Sequence, residues 1–200
     1  LTVFQNDRDY SRALETITFY KYQNFPLRFS HYMRLSQLKR NEISSSASFN
    51  TQVSILAYCL MPNHFHFLVK QTQDFGIQNF ISFFSNSYTR YFNTKRRRHG
   101  PLFQGRFKAV RIEQEEQLIH VSRYIHLNPY SSGIITNLTD LEIYPYSSLK
   151  EYLNPKSFHI SDTQQILGLF PNLESYQKFV SDHSDYQRQL ESVKHLTIAL

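Results

Sequence analysis

No disulfide can form within this chain, because Cys59 is its one cysteine. Cys59 lies in an apolar run, residues 53–60, where a buried and inert thiol fits better than a nucleophile. No run of 18 apolar residues occurs and the first residues carry no signal-peptide pattern, so neither a membrane span nor export is expected. A reducing, cytoplasmic setting follows. Tryptophan is absent, yet there are 17 Phe and 14 Tyr. Anions are short: 16 Asp and Glu stand against 22 Lys and Arg, for a net charge of +6. Cations neutralise phosphates and rings stack on unpaired bases, so this balance points to a nucleic-acid partner. The length of 200 residues suits one domain with a modest extension, and no internal repeat is visible.

Taken in order, the chain first offers a helix that Asp7 or Asp9 can cap. Its apolar stripe is Tyr10, Ala13, Leu14, Ile17 and Tyr20. Residues 25–50 break the pattern and read as a partly helical insertion ending in a serine-rich link. Residues 53–60 and 64–71 form an antiparallel pair about the Pro62-Asn63 turn. A long helix follows Gly76, with Ile77, Phe80, Ile81, Phe84, Tyr88, Tyr91 and Phe92 at helical spacing. It runs into Lys95-Arg96-Arg97-Arg98 and is expected to stop at Gly100. These four cations make a candidate phosphate-binding edge. Residues 101–112 read as a strand or hairpin. Glu115 and Glu116 then open a helix that Pro129 should end. Beyond residue 133 come short helical segments, the last expected over 173–196, with no catalytic pattern.

Chemistry concentrates in two places. His64 and His66 alternate along a strand, so both imidazoles leave one face while Phe65, Phe67 and Val69 are expected to bury the other. Such a pair can converge on one metal ion, Zn²⁺ as readily as another. No carboxylate accompanies it, which argues against a zinc hydrolase. On the later helix, His120, Tyr124 and Asn128 repeat every four residues. A tyrosine beside a metal ion is the minimum equipment for covalent phosphoryl transfer. With 14 tyrosines, spacing alone leaves a packing role for Tyr124 open.

Four ordered blocks sharpen this. They are Tyr58-Cys59-Leu60-Met61-Pro62-Asn63-His64-Phe65-His66, Ser87-Tyr88-Thr89-Arg90-Tyr91-Phe92-Asn93, Gly100-Pro101-Leu102-Phe103-Gln104-Gly105-Arg106-Phe107-Lys108 and Ser122-Arg123-Tyr124-Ile125-His126-Leu127-Asn128-Pro129. In this order they resemble the single-tyrosine HUH transposases, and most of all the branch of REP-associated tyrosine transposases. The resemblance implies an α+β fold, with a ferredoxin- or RRM-like antiparallel sheet, flanking helices and a helical C-terminal extension. It divides the chain into a nuclease domain, 1–133, and an extension, 134–200. It implies Mg²⁺ or Mn²⁺ on His64, His66 and Asn128, with Tyr124 as nucleophile. The substrate would be single-stranded hairpin DNA from palindromic element ends, nicked and rejoined through a 5′-phosphotyrosyl intermediate. Arg90, Arg106, Lys108 and Arg123 join Lys95, Arg96, Arg97 and Arg98 as candidate DNA contacts. A prokaryotic, nucleoid-associated protein acting as monomer or homodimer is implied. The family's first strand is not found ahead of the segment matching residues 3–10, which keeps one alternative in view: a domesticated or truncated hairpin-DNA-binding module without cleavage.

Overall fold

The computed structural model describes residues 1–23, 25, 27–46, 50–105, 107–154, 159–182 and 184. The fold is α+β: an antiparallel pair, β1 (Val53–Met61) and β2 (His64–Gln71), is flanked by helices and followed by a helical C-terminal region. Among the described residues the sheet has these two strands and no more. The chain divides into two compact units, one of Leu1–Gln5, Ile55–Val69 and Lys108–Leu200, the other of Asn6–Ser54 and Lys70–Phe107.

In the first unit β1 is buried along nearly its whole length. Backbone groups removed from water need partners, and those that β2 does not supply come from late in the chain. Leu60 N–H donates to the Tyr146 carbonyl and Ser148 N–H to the Tyr58 carbonyl, each at 2.9 Å. Tyr58 N–H in turn donates to Ser148 Oγ, and the Tyr144 and Tyr152 hydroxyls donate to the carbonyls of Leu60 and Leu56. At the other end of the run, Asp162 N–H donates to the Ile55 carbonyl at 2.7 Å. A serine, a few tyrosines and one isolated bridge, Cys59 to Ser147, therefore close an edge where a strand would otherwise lie.

The helix α5 (Glu115–Ser131) packs in the same core, with Ile125, Leu127 and Tyr130 beside Leu56, Met61 and Leu68. It runs past Pro129, where it was expected to end. In the final turn the missing proline N–H costs one bond, and Ser132 and Gly133 N–H groups still cap the carbonyls of Asn128 and Tyr130. The short helices Leu149–Leu153 (α6), Gln164–Leu167 (α7) and Leu173–Ser181 (α8) follow in this unit. Asn172 caps α8 by accepting from Ser175 N–H at 2.8 Å. Most of the expected helix beyond residue 182 lies outside the described residues.

In the second unit α1 (Asp7–Tyr20) packs on α4 (Gly76–Arg96). Asn6, not Asp7 or Asp9, caps α1 by accepting from Asp9 N–H at 3.2 Å. Asp9 has gone inside instead and is fully buried. The insertion carries the short helices Phe29–Tyr32 (α2) and Gln37–Ser46 (α3). At Gly76 an added Cβ would clash with the carbonyl oxygen of Gln52, so only glycine fits there. The helix α4 stops ahead of Gly100: Arg97 takes the left-handed cap (φ 49°) and its N–H returns to the Asn93 carbonyl. Arg98 then braces the exit by donating to Asn93 Oδ1 and to the carbonyls of Gly100 and Pro101. The strand expected over 101–112 is absent among the described residues. That stretch is irregular, with Val110 82% exposed and no facing strand to bury it.

Candidate active site

The site is built from the turn between β1 and β2 upward. Asn63 Oδ1 lies 2.6 Å from His64 Nδ1. An amide oxygen can only accept, so Nδ1 carries the proton and His64 Nε2 presents its lone pair. That lone pair is 3.0 Å from Nε2 of His66, with the two rings edge to face at 88°. Two ring nitrogens bound at right angles to one ion, each about 2.1 Å from it, stand about 3.0 Å apart. The pair therefore fits a shared cation, and it equally fits a proton donated from His66 Nε2.

The face of β2 expected to be buried is only half-buried. Leu68, which shares the histidine face, is the buried residue of the strand, whereas Phe65, Phe67 and Val69 are half-buried. The reason is α5, which packs over the histidine side. This brings the Tyr124 ring edge-on to His66, centroids 5.6 Å apart at 86°. His64, His66 and Tyr124 are thus gathered by one unit of one chain. Asn128 follows one turn later and is buried. Its amide donates to the Tyr124 carbonyl at 3.2 Å, and its side-chain oxygen takes no hydrogen bond among the described residues. No cluster of three His, Cys, Asp or Glu side chains exists among the described residues.

The chain matches the family model described as "Transposase IS200 like" over residues 26–128, a span that holds both histidines, Tyr124 and Asn128. It belongs to the IS200-like transposase family. Neither the comparison with curated proteins nor that with solved structures returned a match. The substrate of a transposase is DNA, and the members of this family generally depend on a divalent metal. No helix of the transposase, among the described residues, is long and apolar enough to cross a membrane.

The basic residues of the transposase divide by the work they already do. Lys95 and Arg96 grip the buried carboxylate of Asp9 at 2.7 and 2.6 Å. The hydrogen bond that Lys95 donates to Asp9, with a second to the Tyr91 hydroxyl, raises its ammonium above the ordinary pKa. Arg98 serves the turn after α4. Arg123 lies 4.3 Å over the Phe179 ring, donates to that residue's carbonyl and meets His120 Nδ1 at 2.8 Å. Burial lowers the Arg123 pKa, partly offset by Asp182. Arg90, Arg97 and Lys108 are exposed, and Arg106 lies outside the described residues.

Asn63 and His126 do more than the sequence alone assigned them. Asn63, which sets the His64 tautomer, was legible only as a turn residue. His126 is fully buried, with Nδ1 2.7 Å from the Tyr176 hydroxyl and Nε2 2.7 Å from Ser148 Oγ. Burial pushes its pKa down to about 3. Cys59 is likewise buried, and its thiol pKa is raised by that burial, consistent with an inert side chain.

Proposed function

We propose that the protein nicks and rejoins single-stranded hairpin DNA through a covalent bond between Tyr124 and a 5′ phosphate. His64, His66 and the side-chain oxygen of Asn128 would hold Mg²⁺ or Mn²⁺, which when bound withdraws charge from the non-bridging phosphate oxygens. The observation that carries the reading is the meeting of two converging imidazole nitrogens and the Tyr124 ring within one compact unit.

In the forward step Tyr124 Oη attacks the scissile phosphorus. The bond from phosphorus to the 3′ oxygen breaks, the phenolic proton passes to solvent, and the departing oxygen takes up a proton as a 3′ hydroxyl. The 5′ phosphate stays on Tyr124. Reversal by any suitably placed 3′ hydroxyl reseals the strand, so phosphodiester energy is conserved in the adduct. The helix α5 aligns the phenol beside His66, and that fixed alignment is the protein's share of the rate enhancement. Asn63 keeps His64 in the tautomer that can ligate.

The reading further places a nuclease domain over residues 1–133, an extension over 134–200, and kinship with the REP-associated branch. Incubating the purified chain with end-labelled hairpin DNA and Mn²⁺ should yield a denaturation-resistant protein–DNA adduct. Tyr124→Phe should abolish it while hairpin affinity stays close to that of the parent. An undiminished adduct refutes Tyr124 as nucleophile, and an adduct-free parent that still binds hairpins favours the non-cleaving module.

A further inference from the structure

The second unit holds a cavity of about 1100 Å³ whose lining no step above uses. Its wall is cationic and aromatic together. Arg8 and Arg12 come from one face of α1, Arg28 from the insertion, and Arg90 from α4. Neither an aspartate nor a glutamate lines it among the described residues.

The cations here are not spent. Arg8, Arg28 and Arg90 are exposed and form no ion pair among the described residues, unlike Lys95 next to them. The Arg12 guanidinium lies 4.3 Å over the Phe29 ring and 5.4 Å from that of Tyr91. Its Nε is buried and has no hydrogen-bond partner among the described residues. Burial lowers the Arg12 pKa, partly offset by Glu15, and an anion held in the cavity would add to that offset. At the mouth Phe83 stays 47% exposed, its ring 5.5 Å from that of Tyr20. A large ring left in water beside unspent arginines is the wall on which an unpaired base stacks.

The cavity also has an exit. Asn86, Arg90 and Thr94 line both it and a shallower groove of about 460 Å³ that continues to Arg97 and His99. A site for a free nucleotide has no need of such a track. A volume above the ~300–1,000 Å³ of ordinary small-molecule sites also leaves room for more than one residue of a polymer.

We propose that this cavity receives an unpaired nucleotide of the DNA strand, its base against Phe83 and Tyr20 and its phosphates on Arg12, Arg28 and Arg90, with the adjoining backbone running along the groove. The inference rests on the proposed DNA substrate but not on the covalent chemistry of Tyr124.

The test uses the full chain carrying Tyr124→Phe, so that cleavage cannot intervene, and a single strand of about eight nucleotides with one 2-aminopurine. Binding should quench the fluorescence. Phe83→Leu should weaken binding at least fivefold, on the scale of one lost base stack, and remove the quench, whereas Phe83→Tyr should retain both. Arg28→Ala should flatten the dependence of log Kd on log salt by about 0.7. Because Phe83 and Arg28 are exposed, unchanged thermal unfolding is expected for these variants. Quenching and affinity untouched by Phe83→Leu would overturn the proposal. Equal affinity for free 2-aminopurine deoxyribonucleoside monophosphate would overturn the DNA assignment in favour of a nucleotide ligand. A parent chain that forms no adduct with hairpin DNA, while the strand is still quenched, would remove the cleavage reading and leave this one standing.

Discussion

Acidification should destabilise the first unit through one residue, His126. Its imidazole is fully buried between the Tyr176 hydroxyl and Ser148 Oγ. Neither partner is an anion, so a second ring proton would enter the core without a counter-charge. The folded-state pKa is accordingly pushed down to about 3, from an ordinary value of 6.5. The sign follows from linkage: between these limits the unfolded chain binds a proton that the folded chain refuses, so stability falls as pH falls. Full stability from this group holds above pH 6.5, and the loss is complete near pH 3. At about 1.36 kcal/mol per unit, moving from pH 7.5 to pH 5 costs about 2 kcal/mol. Urea unfolding at the two pH values measures this, with the same pair of curves for His126→Gln. The variant will be less stable at both, but its loss on acidification should be smaller than the parent's by about 2 kcal/mol. Equal pH dependence in parent and variant would refute the argument.

Asp9→Asn should cost about 3 kcal/mol, the low end for a broken buried ion pair, because Lys95 and Arg96 keep 30% and 20% of their exposure and can rehydrate. Denaturant titration reads it, and a loss below about 1 kcal/mol would show the cluster to be no stronger than a surface pair. Because one chain sets the Tyr124 ring against His66, mixing Tyr124→Phe protein with His66→Ala protein should restore no DNA adduct on a denaturing gel. Adduct recovered in the mixture would show that two copies share the site.

Much of this molecule can be read along the chain. The period of the apolar residues foretold α4 and the β1–β2 pair, because local periodicity reports which side of an element meets the core. Four ordered sequence blocks singled out His64, His66, Tyr124 and Asn128. Other features depended on which partner each segment found. Pro129 was expected to end α5 but sits inside it, since only a last-turn bond is lost there. Residues 101–112 look strand-like, yet with no facing strand among the described residues Phe107 and Val110 stay exposed.

The deepest divide concerns charge and burial. Composition by itself determined a basic, aromatic chain suited to nucleic acid, and spacing determined that two imidazoles share one face of a strand. Only the tertiary structure decided which cations remain available. Asp9 goes inside and takes up Lys95 and Arg96, a pairing across 86 and 87 positions that no local pattern encodes. Only packing, likewise, turned the histidine face of β2 toward α5 and its tyrosine. Spacing specifies direction along one element; which element covers that face depends on the free energy of the whole core.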